Sequence, residues 1–270
     1  MRLPQLIDSS LEIVEGVAVL TLRRDDVRNA LTGTALVEDV IAAVDWANRS
    51  PQVSVLVLTG EGAAFSSGGN VKDMQERSGM FAGDVLAIQD NYRRGIQRLP
   101  LALHEAEVPI IAAVNGPAIG AGMDLACMCD LRLGSCRALF GETFVNLGIV
   151  SGDGGAWFLQ RLIGYQKAAE LCLTGRTVDA AEALTLGLLL EVTEPEDLLR
   201  RALELAARIA AKPRPAVRLT KRLLKLAQHQ ELADFLKICA CFQSMAHHSQ
   251  EHLEAVTAFL EGQAKRRAAP

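Results

Sequence analysis

The sequence lacks long apolar runs, aromatic richness and an excess of basic charge, and each lack removes a class of protein. No apolar stretch approaches the ~20 residues that a membrane-spanning helix needs, so no membrane span is expected. A net charge of −4 with a pI near 5.8 leaves no broad positive footprint for a nucleic acid. Two local basic clusters, Lys265-Arg266-Arg267 and Arg214 to Lys225, read as solvated helix faces. The cysteines (Cys127, Cys129, Cys136, Cys172, Cys239, Cys241) show neither zinc-ribbon spacing nor a small secreted scaffold, and their apolar periodic settings predict buried thiols. Among the histidines only His248 and His252 have a ligand-like spacing, four apart on what reads as one helical face. The order is not H-E-x-x-H and no third ligand is evident, so a polar face is expected and no metal. Met1 to Asp8 carries a single Arg and no following apolar core, so neither a secretory signal nor a transit peptide is expected, and the default compartment is the cytoplasm.

What is present is a chain of 270 residues, half of them apolar, enough for one large domain or a domain with an appendage. Val17 to Leu22 is β-rich, Leu36 to Ala47 has helical spacing with Thr32 as its N-cap, and Val53 to Thr59 is a continuous apolar strand. Pro109 to Asn115 reads as a second buried strand, Gly116 to Gly122 as a glycine-rich turn, Met123 to Met128 as a short helix and Asp130 to Ser135 as a further strand. No G-x-G-x-x-G opens a crossover helix, which argues for stacked ββα units rather than a dinucleotide-binding sheet. The segment from Asp73 to Leu103 is helical in pattern with Gly79, Gly83 and Gly95 as weak points. From Ala180 the strand signals vanish, and helices are expected over Glu196 to Ala211, Pro215 to Leu226 and Glu231 to Gly262, the last interrupted near His247 to Gln250. The expected organisation is an α/β core over residues 1–195 and a helical appendage over 196–270, joined without a Ser/Gly linker and therefore packed.

Two glycine-rich turns follow the most apolar strands: Ala63-Ala64-Phe65-Ser66-Ser67-Gly68-Gly69-Asn70-Val71-Lys72-Asp73-Met74 and Ala113-Val114-Asn115-Gly116-Pro117-Ala118-Ile119-Gly120-Ala121-Gly122-Met123-Asp124-Leu125. Small residues where backbone leaves a strand and approaches a helix N-terminus can leave free N–H groups to meet a developing negative charge. Alone, each turn is ordinary. Together, and with Phe140-Gly141, Gly148, Gly154-Gly155, Leu171-Thr174-Gly175-Arg176 and Asp179 to Leu188, they resemble the crotonase (enoyl-CoA hydratase/isomerase) superfamily over roughly residues 10 to 262.

The resemblance implies a crotonase-like spiral of ββα units with a C-terminal helical appendage, an acyl-CoA thioester substrate in fatty acid metabolism, and a homotrimer or dimer of trimers. It implies no separate cofactor, coenzyme A being carried by the substrate, and no nucleic acid or membrane partner. Carried over by position, the backbone N–H groups of Gly69 and Ala121 would form an oxyanion hole, with Arg28, Lys72, Ala64 and Gly68 as candidate CoA contacts and Arg24 a weaker one. Family hydratases use two Glu residues; here the matching positions are Asp124 and Phe144, and a phenyl ring cannot move a proton. Asp153 offers a replacement acid, with a helix cap as the alternative role. Asp124 is either its partner or a helix-start carboxylate favoured by the dipole. Glu142 ranks behind Asp153 and, in an extended stretch, would share a face with Phe144. Hydration of a 2-enoyl-CoA leads the expected reactions, double-bond isomerisation follows, and a hydrolase using Ser66 or Ser67 with His104, or a non-catalytic acyl-CoA binder, stands as the competing class.

Overall fold

The computed structural model describes residues 2–268, with the side chains of residues 264, 265, 267 and 268 excepted, so Lys265 and Arg267 of the basic tail lie outside what is described. Strands β1 (Ser9–Val14) and β2 (Val17–Leu22) form a hairpin whose two turn residues, Glu15 and Gly16, both take positive φ, the twist that tight hairpins favour. Helix α1 (Leu36–Arg49) leads to β3 (Val55–Gly60). Helices α2 (Val71–Glu76), α3 (Val85–Arg94) and α4 (Arg98–His104) follow, then β4 (Ile110–Val114). Next come β5 (Ala118–Ile119), α5 (Ala121–Met128), β6 (Leu131–Ser135) and β7 (Leu139–Gly141). Helices α6 (Gly155–Ile163) and α7 (Tyr165–Thr174), strand β8 (Thr177–Asp179), α8 (Ala180–Leu186) and β9 (Glu191–Thr193) complete the spiral. Four helices close the chain: α9 (Leu198–Ala210), α10 (Arg214–Leu226), α11 (Leu232–His247) and α12 (Gln250–Ala268).

The main sheet has the order β1-β2-β3-β4-β6-β9, parallel from β2 onward, and β5-β7-β8 form a second, small sheet. Parallel strands covered on both faces need apolar residues at every position, which is why β2, β3 and β4 read as continuous apolar runs. Alternation then sorts them. Ala18, Leu20, Leu56, Leu58, Ile110 and Ala112 face the main core with α1, α4 and α5. Val17, Val19, Val55, Val57, Ile111 and Ala113 face Leu198, Ala202 and Ala206 of α9. Small residues four apart let that helix lie close on the sheet. The α/β spiral of ββα-like units with a C-terminal helical region is thus the fold, and its first post-spiral helix forms the cover of one sheet face.

Several local expectations are corrected. Thr32 does not cap α1; its hydroxyl accepts the Asn70 N–H at 2.7 Å, while Ala35 precedes the helix and its N–H is held by Asp8. Strand signals do not end at Ala180: β9 is a three-residue strand beside β6, too short to show a period. Cys136 and Cys241 are exposed, and the six thiols are free. His248 caps the C-terminus of α11 and His252 lies in the first turn of α12, so they do not share a helical face; the chain breaks at Ser249, and His252 instead meets His247, ring centroids 4.6 Å apart. The basic face of α10 is docked rather than solvated. Lys221 pairs with Asp130 at 2.6 Å and donates to the Val108 carbonyl, Arg218 donates to the Asn48 carbonyl and Glu107, and Lys225 donates to the Leu103 and His104 carbonyls. The Asn48, Leu103 and His104 carbonyls lie at the C-terminal ends of α1 and α4, where unpaired acceptors attract cations, and Val108 lies just ahead of β4. By contrast α11 and α12 leave Leu232, Leu236, Met245, Leu253, Phe259 and Leu260 exposed.

Candidate active site

The two glycine-rich turns are locked to each other by main chain. Phe65 and Ser66 donate to the Pro117 carbonyl, Ile119 donates back to Ser66 at 3.0 Å, and Leu31 donates to Gly68 at 2.7 Å. Gly68 sits at φ +75°, and a Cβ there would lie 2.5 Å from the Ile119 carbonyl oxygen and 2.8 Å from the Ala121 nitrogen; one on Gly122 would lie 2.1 Å from the Ser66 carbonyl oxygen. Only glycine lets backbones approach so closely. Among the described residues neither the Gly69 N–H nor the Ala121 N–H, the latter in the first turn of α5, finds an acceptor. Both residues line one cavity of about 90 Å³, otherwise walled by apolar side chains such as Met74, Met80, Phe81, Ile96 and Phe144. A larger groove of about 1380 Å³ between α2, α3 and the 147–152 loop shares Val71, Met74, Phe81, Tyr92, Leu147 and Ile149 with that cavity. Two unpaired N–H donors over a small, largely apolar pocket can stabilise a charge that develops on a carbonyl oxygen.

Three carboxyls, Asp124, Glu142 and Asp153, are buried behind this cavity, at 0%, 1% and 3% exposure. Only Asp153 reaches the cavity wall. Asp124 accepts the Ser151 hydroxyl at 3.1 Å, but its second oxygen, both Glu142 oxygens and Asp153 Oδ2 receive no donor among the described residues. Asp124 lies beside both Glu142 and Asp153, and two neighbouring carboxyls can bond to each other only when one carries a proton. Burial, then the neighbouring carboxyl, pushes Asp124 and Asp153 well above the usual carboxylate range. Burial likewise lifts Glu142 to about 7. The dipole of α5 does not keep Asp124 charged against this desolvation. Nor does Asp153 cap α6: the cap position is Gly154 at φ +103°, with no side chain bonded to the helix start. Gly155 is required by Asp124 itself, since a Cβ there would lie 1.8 Å from Asp124 Oδ1.

Glu142 and Phe144 do not share an extended face. Glu142 ends the β7 segment and a 3-10 turn follows over Thr143–Leu147, which swings Thr143 and Phe144 onto the cavity wall and turns Glu142 inward to Asp124. The Phe144 ring lies against Gly120, 3.6 Å from where a Cβ would be. Sequence reasoning placed Asp124 and Asp153 together and ranked Glu142 behind them, because neither the turn after β7 nor the space left by Gly155 has a pattern to read.

The remaining candidates separate. Arg28, left-handed at φ +53°, is exposed, forms no ion pair among the described residues and is tied to the first turn through its carbonyl, which accepts the Ser67 N–H. Lys72 is exposed in the first turn of α2 and is also unpaired among the described residues. Ala64 is buried with its carbonyl accepting from the Asn29 side chain at 2.9 Å, and Gly68 faces the second turn. Arg24 is engaged by Asp26 and Asp8. Ser66 and Ser67 donate their hydroxyls to the Asn29 and Val27 carbonyls, while His104 packs against Trp157 and Phe158, and among the described residues no histidine is hydrogen-bonded to either serine. Among the described residues no group of three or more His, Cys, Asp or Glu side chains is placed to hold a metal ion, and no helix is long and apolar enough to cross a membrane.

Comparison with known proteins agrees with this geometry. The family model for enoyl-CoA hydratase/isomerase matches residues 12–267. The chain is 37% identical over 254 residues to a crotonyl-CoA hydratase of Syntrophomonas wolfei, covering 93% of this chain and 94% of the relative. It is 34% identical over 246 residues to a short-chain-enoyl-CoA hydratase of Clostridium acetobutylicum, covering 91% of each. The crystal structure of an enoyl-CoA hydratase from Bacillus anthracis superposes with a TM-score of 0.88 at 30% identity, over 95% of this chain and 97% of that one.

Proposed function

Because the chain belongs to the enoyl-CoA hydratase/isomerase family and acts on acyl-CoA thioesters, we propose that it hydrates a short-chain 2-enoyl-CoA, with Asp153 as the acid/base group. The observation that carries this reading is the shared cavity wall of Gly69, Ala121 and Asp153, with one Asp153 oxygen unpartnered. The Gly69 and Ala121 N–H groups hold the thioester oxygen as its carbonyl becomes an enolate, an effect worth about 3 kcal/mol for each donor. Asp153 takes a proton from the attacking water as its oxygen bonds to C3, and returns a proton to C2. A cavity of about 90 Å³ suits an acyl group of few carbons, in keeping with the activities for which the two relatives are named. Arg28 and Lys72 supply charge for the CoA phosphates. The exposed apolar faces of α11 and α12 are the surface on which copies of the chain would assemble into a trimer or a dimer of trimers.

A second reading, double-bond isomerisation, is favoured by one feature. With Phe144 on the wall, a single carboxyl faces the cavity, and one carboxyl suffices to move a proton between two carbons. Incubation with crotonyl-CoA and a 3-enoyl-CoA in H2O and in D2O, followed by mass spectrometry, separates the two. Uptake of one water by crotonyl-CoA supports hydration, whereas deuterium incorporation without added water means isomerisation. Inertness toward both substrates would overturn the acid/base assignment.

A further inference from the structure

Glu142 is a buried carboxyl that the chemistry above does not use. It is shut off from the cavity, both oxygens lack a donor among the described residues, and the carboxyl beside it is that of Asp124, which in turn neighbours Asp153 on the wall. The three groups therefore form a file of carboxyls from the cavity inward. The groups facing Glu142 supply no positive charge. They are Asp124 and Cys127 from α5, Asp153 from the loop ahead of α6 and Cys172 from α7, with Tyr92 of α3 beside Asp153 at the outer end. The guanidinium of Arg132, felt at Cys127, is committed to the Leu188 and Cys129 carbonyls. Three carboxylates in contact without a cation cannot all be ionised, so the file must share protons.

We propose that Glu142 is the inner terminus of a three-carboxyl proton relay, Asp153–Asp124–Glu142, and is the positioning residue that decides when Asp153 can accept a proton from the cavity. The inference rests on the acid/base reading of Asp153 above. With one negative charge in the file, the resting arrangement places it on Glu142: Asp153 donates its proton to Asp124, and Asp124 donates its own to Glu142. Burial and coupling agree with this order: burial lifts Glu142 to about 7, while burial and then Glu142 push Asp124 well up, and burial and then Asp124 do the same to Asp153. For Asp153 to act as base, its proton passes to Asp124 as the Asp124 proton passes to Glu142. Two protons each move one place, and the charge moves from Glu142 to Asp153. The reverse shift restores the resting state after the substrate has been protonated.

The test is Glu142→Gln in the full-length enzyme. Glutamine keeps the shape but cannot take a proton, so the base form of Asp153 must arise by ionising the remaining aspartate pair at higher pH. The acid limb of the kcat profile should move up by about one pH unit or more, lowering kcat at pH 7 by about tenfold with KM little changed. Glu142→Asp should restore most of the loss, and Glu142→Gln should add nothing in an Asp124→Asn background, because the file is already cut. An unshifted profile, a change confined to KM, or full additivity with Asp124→Asn overturns the relay. A readout without substrate keeps it separate from the reaction assigned above. In protein carrying carboxyl-13C glutamate, one glutamate should titrate near pH 7 and be missing in Glu142→Gln; persistence of that signal in the variant overturns the proposal even if the wild type turns over no enoyl-CoA.

Discussion

Glu142→Gln also makes a prediction about stability that needs no substrate. A glutamate titrates at about 4.3 in an unfolded chain, whereas burial holds Glu142 at about 7 in the folded one. A carboxyl raised in this way contributes its stability fully below the unfolded value and loses it as pH rises through the folded value. A shift of about 2.5 units at 1.36 kcal/mol per unit makes the fold about 3 kcal/mol less stable at pH 8 than at pH 4.5 through this one group. Glutamine carries no charge at either pH, so the variant should be spared that loss. Its stability relative to wild type should improve by about 3 kcal/mol between those pH values. With roughly 2 cal/mol/K of unfolding entropy per residue, this is a gain of about 5 °C in Tm relative to wild type at pH 8 compared with pH 4.5. Thermal melts of both proteins at matched concentration across pH 4.5 to about 8.5 measure it. Parallel pH curves for wild type and variant would refute the reasoning, because they would mean that burial does not raise Glu142 above its unfolded value.

Other perturbations probe separate parts of the molecule. Asp153→Asn should lower kcat by about 10²–10⁴-fold while leaving KM within a few-fold, measured as crotonyl-CoA turnover. Gly68→Ala forces a Cβ against the Ile119 carbonyl and the Ala121 nitrogen at positive φ, so it should displace the second donor and cut kcat by about 10²–10³-fold; a variant that folds and turns over like wild type would contradict the interlock. Arg28→Ala should raise KM for a CoA thioester several-fold with kcat unchanged and leave the KM of a truncated pantetheine thioester unaltered. Lys221→Met strips the partner from Asp130, whose side chain is 26% exposed, and should shift the urea midpoint by an amount equal to about 2–3 kcal/mol, below the value for fully buried pairs because water reaches Asp130.

What could be read without coordinates follows from how far each signal extends along the chain. The strands β2, β3 and β4 were legible because burial on both faces demands unbroken apolar runs, and α9 to α11 because their amphipathic period persists over three turns or more. Strands of two or three residues, β5, β7, β8 and β9, are made by partners distant in sequence and leave no local period. The chain positions of Gly69, Ala121, Asp124 and Asp153 followed from the family resemblance that the two glycine-rich turns carry; in the structure Gly69, Ala121 and Asp153 line one cavity, and Asp124 is buried behind it. The inward turn of Glu142 was not, since it depends on the 3-10 turn after β7 and on the missing side chain of Gly155. The basic run in α10 misled because charge density on a helix says nothing about which acceptors lie opposite it; Lys225 docks on the end of α4, and Lys221 on the Val108 carbonyl and Asp130.

The interlock of the two glycine turns divides the site into a part that substitution can barely touch and a part it can rewrite. Gly69 and Ala121 offer N–H groups whose spacing is set by main chain resting on main chain at Gly68 and Gly122, so no side-chain exchange nearby can retune that half. Of the acids, by contrast, Asp153 is carried by the loop ahead of α6 and Glu142 by the entry to a 3-10 turn, the same turn that sets Phe144 on the cavity wall. The identity of the side chain on the cavity wall can therefore change, as at Phe144, without moving the two N–H groups that face the cavity.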